Sequence, residues 1–273
     1  MKIFITGANG FIGKNFCEYY QNETVYPYYR GDLAAELADF APDVILNSAA
    51  EIYQSHLMWD SNVLLTRQCL EYVRQNPKTA MIQIGSSSEY GSVDRATCEL
   101  DPIRPSDMYQ ATKGISTLLC QGYAHTYQLD VVIIRPYSVY GKHEKPHRLF
   151  PRLWRAFMLQ EPMTLYQGWH DFIYIVDFMN GVNRILGASN RRRGDIVNLG
   201  TGRQFSNFDV ADAFEKVLGS TAPITRVDKL NKQFESTTWV CDVGYAQEEY
   251  GVRCEFDLHE GIRHFIDSAS YEE

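Results

Sequence analysis

The chain of 273 residues is long enough to bury a large core, as one big domain or as two unequal ones. Its 45% hydrophobic and 22% charged residues exclude wholesale disorder. The net charge of −8 argues against a general nucleic-acid binder, because such proteins present a basic surface to the phosphate backbone.

The six cysteines are scattered and form neither a C-x-x-C pair nor a cluster with histidine. No zinc site, other metal site or disulfide framework is therefore predicted, and scattered thiols are typical of a reduced, cytoplasmic protein. The first apolar segment, Ile3-Phe4-Ile5, is too short for a signal peptide, and no later run reaches 18 apolar residues. We expect a soluble, cytoplasmic protein with no membrane partner.

The first two-thirds of the chain alternates short apolar runs with helical patterns, such as those from Trp59 to Val73 and from Ile115 to Tyr123. Continuous apolar strands separated by helices predict right-handed crossovers and a parallel sheet covered on both faces. The fold class is therefore α/β, with a doubly wound parallel (Rossmann) sheet. Its predicted strands are Lys2–Thr6, Thr24–Tyr29, Val44–Ser48, Ala80–Gly85 and Val131–Arg135.

After Pro136 the alternation becomes less regular, and a smaller, interwoven C-terminal domain is predicted. Two further strands, Phe172–Val176 and Asp195–Leu199, could rejoin the main sheet. We expect residues 1–136, with 168–200 returning to them, to form the larger domain, and residues 137–167 and 201–273 to form the smaller one. The predicted helices of this half are Leu149–Met158, Asp177–Leu186, Asn207–Leu218, Val243–Tyr250 and Leu258–Ala269.

A glycine-rich turn follows the first predicted strand directly and opens a helix. Because glycine lacks a Cβ, it permits a tight turn, the close approach of a pyrophosphate and close packing of helix on strand. The anion then meets the free N–H groups of the helix N-terminus. This context predicts a dinucleotide site. Its expected residues are Gly7, Asn9, Gly10, Phe11, Ile12 and Gly13.

The end of the second strand distinguishes the two nicotinamide dinucleotides. An acid there would hold the ribose hydroxyls of NAD, whereas an arginine would accept the 2′-phosphate of NADP. The sequence reads Tyr28-Tyr29-Arg30 with no acid at the strand tip, so Arg30 favours NADP(H) and leaves NAD(H) open. Asp32, followed by Leu33, could still contact the ribose or the adenine.

Tyr109 and Lys113 stand four residues apart at the start of a helical pattern, so their side chains project from one face. A phenol with a pKa of about 10 transfers protons poorly near neutrality, and a neighbouring ammonium lowers that pKa. The run Gly85-Ser86-Ser87-Ser88 ends the fourth strand, where a parallel sheet presents its ligand crevice. A serine hydroxyl there can hydrogen-bond the substrate oxygen whose proton moves. The combination predicts an oxidoreductase.

Together these motifs resemble the extended short-chain dehydrogenase/reductases, a group of nucleotide-sugar epimerases, dehydratases and ketoreductases. The match runs in the family's order from position 2 to about 202, and the last seventy residues match only loosely. The matching segments are GANGFIG (7–13), PDVILNSAA (42–50), Asn62, GSSSEYG (85–91), YQATK (109–113), RPYSVYG (135–141), HDFIYIVD (170–177) and NLGTG (198–202).

The resemblance implies catalytic roles. Ser86 lies four residues before the tyrosine of the Tyr90-Gly91 pair, where the family keeps its catalytic Ser or Thr. Tyr109 would be the acid–base, and Lys113 would hold the nicotinamide ribose and lower the tyrosine pKa.

The resemblance also implies cofactor and partner contacts. Pro136 would border the nicotinamide carboxamide, and Ala49-Ala50 would border the cofactor's inner ribose. The larger domain would bind the dinucleotide and the smaller one the substrate. A homodimer would form through a four-helix bundle of the helices that hold Asn62 and Tyr109.

Departures from the family's pattern narrow the reaction. The 4,6-dehydratases place Asp-Glu, or at least Glu, after the catalytic Ser or Thr, and UDP-glucuronate decarboxylases keep the Glu. This chain has Ser87 and Ser88 there, and Glu89, one place later, should point elsewhere. We therefore expect an NAD(P)-dependent nucleotide-sugar 4-ketoreductase or epimerase. The alternatives are a 4,6-dehydratase that uses Glu89 and a catalytically silent cofactor-binding protein.

A second departure concerns the substrate. His170 replaces the arginine that many relatives use on the nucleotide diphosphate, which weakens the case for a diphosphate-sugar without excluding it. Arg148, Arg152 or Arg203 could take its place. The expected substrate-binding residues are Ser86, Ser87, Ser88, Ser138, Arg148 and Arg203.

Overall fold

The computed structural model describes residues 1–230 and 237–268. Its strands begin and end close to the residues that the apolar runs predict. In chain order they are β1 (Lys2–Thr6), β2 (Thr24–Tyr28), β3 (Val44–Asn47), β4 (Ala80–Ile84), β5 (Val131–Pro136), β6 (Ser138–Tyr140), β7 (Met163–Gln167), β8 (Trp169–His170), β9 (Phe172–Tyr174), β10 (Asp195–Leu199), β11 (Phe205–Ser206) and β12 (Ile224–Leu230).

The helices are α1 (Phe11–Tyr19), α2 (Leu33–Phe40), α3 (Ser55–Met58), α4 (Leu65–Gln75), α5 (Met108–Tyr127), α6 (Leu149–Met158), α7 (Ile175–Gly187), α8 (Asn207–Leu218), α9 (Gly244–Tyr250) and α10 (Leu258–Ser268). A π-helical segment, Trp59–Leu64, joins α3 to α4, and a short 3₁₀ helix covers Ser87–Tyr90. Within the described residues, no helix is both long and apolar enough to cross a membrane.

Six parallel strands form the central sheet in the order β10-β5-β4-β3-β1-β2. The direction in which successive strands are added reverses beside β1, so the sheet is doubly wound and the Rossmann prediction is confirmed. In such sheets the ligand crevice lies at the carboxyl ends of the strands beside this reversal. Here Thr6 and Asn47, the last residues of β1 and β3, are hydrogen-bonded to each other in that position.

Two apolar clusters cover the two faces of the sheet, because neighbouring strand residues point to opposite sides and are apolar on both. Phe4, Ile45 and Met81 belong to one cluster, which packs under α2, α4 and α5. The other cluster continues from the opposite face into the C-terminal half, as far as Phe214 and Phe265. The division into two domains therefore stays a prediction, since a single core joins the two parts.

The two strands that could rejoin the sheet differ in outcome. Asp195–Leu199 does so as β10, beside β5. The Phe172–Val176 expectation is wrong: β9 pairs in parallel with β6 in a separate two-stranded sheet, and α7 begins at Ile175. The predicted C-terminal domain also includes residues 231–236 and 269–273, which lie outside the described residues, as does Ala269 of the last predicted helix.

Candidate active site

The glycine turn has the geometry that a bound pyrophosphate requires. Gly7 has a φ of +67°, and a Cβ there would lie 2.7 Å from the backbone of Ala49. A Cβ at Gly13 would lie 2.1 Å from the carbonyl oxygen of Gly7, so only glycine lets α1 pack this close. Gly10 provides no side-chain cap for α1, which leaves the first N–H groups of that helix open to an anion. These residues fit a dinucleotide.

The tip of β2 offers an exposed cation rather than an acid. Arg30 is exposed, whereas one carboxylate oxygen of Asp32 already accepts the N–H groups of Ala34 and Ala35, at 3.1 and 3.2 Å. Asp32 therefore caps α2. The side chain of Leu33 is buried in the core. The cofactor contacts expected of these residues stay predictions.

The serine run begins directly beyond β4. Ser86 caps the 3₁₀ helix, since its Oγ accepts the N–H of Ser88 (3.2 Å) and its own N–H donates to Oε1 of Glu89 (2.8 Å). The hydroxyls of Ser86 and Ser88 lie 2.7 Å apart and are partly exposed, whereas Ser87 is buried. Two of the three predicted serine side chains, those of Ser86 and Ser88, are therefore partly exposed, and the third is not.

Tyr109, in the first turn of α5, contacts Ser86. Burial raises the pKa of the Tyr109 hydroxyl above its ordinary value, and a hydrogen bond with Ser86 opposes that rise. The positive charge of Arg148 also lowers this pKa, while the carboxylates of Glu89 and Asp107 raise it. The structure thus brings Ser86 and Tyr109 together, as the sequence predicts.

Lys113 lies one turn further along α5 and is only 2% exposed. Its Nζ donates to the carbonyl oxygen of Ile84, the last residue of β4, just before the serine run. Burial lowers the pKa of Lys113 to about 8, against the opposing charge of Glu89. The effect of Lys113 on the tyrosine pKa stays a prediction, because here Arg148 is the cation that lowers it.

Glu89 points into the protein, as expected. Its side chain is 0% exposed. Its Oε2 accepts hydrogen bonds from Oγ1 of Thr117 (2.8 Å) and from Nε of Arg135 (2.9 Å). Together with the bond from the N–H of Ser86, these contacts join β4, β5 and α5. The carboxylate therefore has a structural role and is withdrawn from the open side of the serines.

Asn62 fixes α5 from its other side. It lies in the π-helical segment, and its Nδ2 donates to Oγ1 of Thr112 (2.9 Å) and to the carbonyl oxygen of Glu51 (3.0 Å). Its Oδ1 accepts the N–H of Glu51 (2.8 Å), in the loop that follows Ala49-Ala50. This buried amide thus holds the loop that follows Ala49-Ala50 against the helix that carries Tyr109.

The remaining predicted substrate residues lie in two different parts of the structure. Ser138 lies 3.2 Å (Oγ to Nδ1) from His170, just beyond Pro136 at the end of β5, and Arg148 precedes α6. Arg203, by contrast, lines a cavity of about 540 Å³ between the end of β10 and helices α9 and α10, which Ser86 and Tyr109 do not line. The structure does not bring Arg203 to the serines, and its substrate role stays a prediction.

Sequence reasoning missed Glu144, which is buried beside Arg148. The four-residue spacing of an acid and an arginine before a helix was the available signal.

Residues 3–200 match the model of the NAD dependent epimerase/dehydratase family. This segment covers more than half of the chain and carries the glycine turn, the serines and the Tyr109–Lys113 pair. The chain therefore belongs to that family, and the predicted family is confirmed.

Individual relatives are distant but cover nearly the whole chain. An uncharacterized UDP-glucose epimerase, YtcB of Bacillus subtilis, is 27% identical, with 91% of each chain aligned. A dTDP-glucose 4,6-dehydratase of Streptomyces antibioticus is 24% identical over 98% of this chain and 92% of its own. The solved structure of MoeE5 in complex with UDP-glucose and NAD superposes with a TM-score of 0.86 at 26% identity, covering 98% of both chains.

Replacing Glu89 by Ala is expected to lower the free energy of unfolding by about 3–5 kcal/mol, because the buried guanidinium of Arg135 loses its carboxylate. Urea denaturation at neutral pH measures the change. The control Thr117→Val removes a single hydrogen bond and should cost about 1 kcal/mol. The double variant Glu89→Leu/Arg135→Met should recover much of the loss. A Glu89→Ala protein as stable as the wild type contradicts the assigned role.

Proposed function

We propose that this protein is an NAD-dependent epimerase that inverts one hydroxyl-bearing carbon of a nucleotide sugar. The observation that carries the proposal is the Ser86–Tyr109 pair at the carboxyl edge of the sheet, with hydroxyls rather than carboxylates at positions 87 and 88. The glycine turn fits the dinucleotide, and the epimerase name of the Bacillus subtilis relative agrees with this reaction.

The reaction needs one proton shuttle beside the sugar carbon. The glycine turn, Gly7 to Gly13, would hold a nicotinamide dinucleotide, which would supply reversible hydride transfer at that carbon. Tyr109 takes the proton of the sugar hydroxyl and gives it back, and Ser86 hydrogen-bonds the tyrosine oxygen and the sugar oxygen in turn. Lys113, buried one turn further along α5, would hold the nicotinamide ribose.

A 4,6-dehydratase must also eliminate water, which requires an acid or a base beside the neighbouring sugar carbons. Glu89 does not fill that role, because Ser86, Thr117 and Arg135 already occupy its carboxylate. A 4-ketoreductase would use the same pair in one direction only and would consume external reductant. These reactions are the alternatives that product analysis separates.

We further propose that NAD, rather than NADP, is the resident cofactor, although Arg30 favoured NADP in the sequence. Epimerisation returns its hydride and needs no external NADPH. The NAD in the MoeE5 complex supports this choice.

The six cysteines, all free thiols, support a reducing cytoplasmic setting.

We also propose a homodimer through the helices that hold Asn62 and Tyr109. Large apolar side chains are exposed there, among them Trp59 at 47% and Leu118 at 58%. Clustered exposed apolar residues mark interaction sites, and a second copy would cover them in a four-helix arrangement.

Changing Tyr109 to Phe should reduce turnover about 10²–10⁴-fold, because the acid–base is lost while the ring remains. The assay follows UDP-, dTDP-, GDP- and CDP-sugars by mass spectrometry and chromatography. An epimer of unchanged mass, formed without added reductant, is the expected product. Loss of water identifies a dehydratase, and stoichiometric NADPH consumption identifies a reductase. Cofactor binding with no turnover of any sugar supports the catalytically silent alternative.

The cofactor released from purified protein by denaturation should be NAD(H). Arg30→Ala should leave NAD affinity unchanged, because an exposed arginine has no 2′-phosphate to hold in NAD. The same change should weaken residual NADP binding about tenfold, through loss of a charge-assisted hydrogen bond. Calorimetric titration with both dinucleotides measures this, and recovery of NADP(H) as the bound cofactor contradicts the choice.

The change Leu118→Glu should convert a dimer into a monomer, since it places a charge in the proposed apolar interface. Light scattering after gel filtration gives the mass. The matched control is Leu100→Glu, at a position 94% exposed and outside these helices, which should leave the mass unchanged. A wild-type protein with the mass of a single chain refutes the dimer.

A further inference from the structure

A short segment beyond β3 reaches across to the loop between β6 and α6, residues 141–148. The hydroxyl of Tyr53, in that segment, lies 2.5 Å from Nε2 of His147 in the loop. The two rings meet edge to face, with their centroids 5.4 Å apart. Nζ of Lys145 also lies 5.0 Å from the centroid of the Tyr53 ring. Tyr53 is therefore a side chain through which the segment holds the loop.

The segment that carries Tyr53 is firmly held at its base. Oε1 of Glu51 accepts the next three backbone N–H groups, at 2.9, 2.8 and 3.1 Å, which closes a tight turn. The buried side chain of Asn62 binds the backbone of Glu51 at both its N–H and its carbonyl oxygen. Tyr53 thus extends from a fixed turn, and its side chain has a defined place from which to meet the loop.

The loop is fixed at its other end to α1, the helix that begins at the glycine turn. Nδ2 of Asn15 donates to the carbonyl oxygen of Lys142 (2.8 Å). Glu18 accepts a hydrogen bond from Nζ of Lys142 (2.9 Å) and lies 2.6 Å from Nε2 of His143. The loop therefore runs from α1 to Tyr53, with side-chain contacts at both ends.

These contacts complete a ring that borders the N-terminus of α1. The chain leads back from Tyr53 to Ala49, whose backbone lies so close to Gly7 that a Cβ there would be 2.7 Å away. Gly7 in turn accepts the N–H of Gly10, directly before α1 (2.8 Å). The ring thus passes from α1 through the loop, Tyr53 and the glycine turn back to α1, beside the N–H groups that fit a pyrophosphate.

The ring is weakest where Tyr53 meets the loop. At α1 the ring includes the buried side chain of Asn15, whereas Tyr53, Lys145 and His147 are all exposed. Contacts between exposed side chains separate at the lowest cost in free energy, because little packing is lost with them. We therefore expect the ring to open at Tyr53.

We propose that Tyr53 and His147 form a latch that retains the dinucleotide on the glycine turn. The latch must separate each time the cofactor enters or leaves, and it stays closed during the reaction. The proposal rests on the proposed function in one respect, since an epimerase regains its hydride and benefits from keeping one cofactor through many turnovers. The latch acts on the path of the cofactor and needs no contact with it.

The test measures how fast the reduced dinucleotide, NADH, binds to the purified full chain and leaves it. Tyr53→Phe removes the hydroxyl and keeps the ring, which weakens the latch equally with and without cofactor. The association and dissociation rates should therefore both rise about three- to tenfold, while the Kd changes by less than about twofold. Stopped-flow fluorescence of NADH gives the association rate, and a chase with excess NAD gives the dissociation rate.

A double-mutant cycle assigns the effect to the pair. His147→Leu removes the other partner and should raise both rates at least as much as Tyr53→Phe does. In the His147→Leu background, Tyr53→Phe should add nothing. Tyr53→Ala, which also removes the ring beside Lys145, should raise both rates further, to about 10–30-fold.

The matched control is Tyr127→Phe, since Tyr127 is 49% exposed at the end of α5 and Tyr53 is 54% exposed. Both rates should stay unchanged in this variant. Equal melting temperatures of the cofactor-free proteins show that each variant folds. A rise in the dissociation rate alone, with a weaker Kd, identifies Tyr53 as a direct contact of the cofactor and overturns the latch. Unchanged rates in Tyr53→Phe and Tyr53→Ala overturn it as well.

The exchange of NADH is measured without turnover, so the latch and the proposed function can fail separately. If no sugar nucleotide is epimerised and both rates rise in the Tyr53 variants, the proposed function fails and the latch stands. If a sugar nucleotide is epimerised and the rates do not change, only the latch fails. A protein that binds no NADH contradicts both.

Discussion

The buried ion pair between Glu89 and Arg135 is the constraint on which the active site depends. Two charges taken out of water are stable only when paired and hydrogen-bonded, so the geometry around them has little freedom. One carboxylate accepts hydrogen bonds from the backbone N–H of Ser86, the hydroxyl of Thr117 and the guanidinium of Arg135. The backbone of Ser86 is therefore held from behind the site by the same carboxylate that binds α5 and β5.

Two further cations, Lys113 and Arg148, have different partners. Lys113 donates to a backbone carbonyl at the end of β4, whereas the charge of Arg148, directly before α6, lowers the pKa of Tyr109. A helix-face argument pairs Tyr109 with Lys113, since four residues bring two side chains to one side. The spacing alone does not show which atom the Lys113 ammonium contacts, because its acceptor, the carbonyl oxygen of Ile84, belongs to another element. The folded chain thus gives the tyrosine a cation from a different part of the sequence.

Local patterns predicted the sheet, and they also predicted that Ser86 and Tyr109 come together, because short stretches of sequence carry both signals. Alternating apolar runs locate buried strands, and a glycine turn after the first of them identifies the dinucleotide cradle. The pairing of β9 with β6 could not be predicted in this way, since strands of three residues carry no usable periodicity. The burial of Glu144 could not be predicted either, because a loop carboxylate becomes buried through packing between distant elements.

The position of β10 at the edge of the sheet has a consequence for how the chain is made. Residues 195–199 cover β5, whose backbone would otherwise present an open row of hydrogen-bonding groups. Ser86 and Tyr109 leave the ribosome well before that strand does. During synthesis the growing sheet must therefore wait, with β5 unprotected, for some sixty residues after β5 itself is complete.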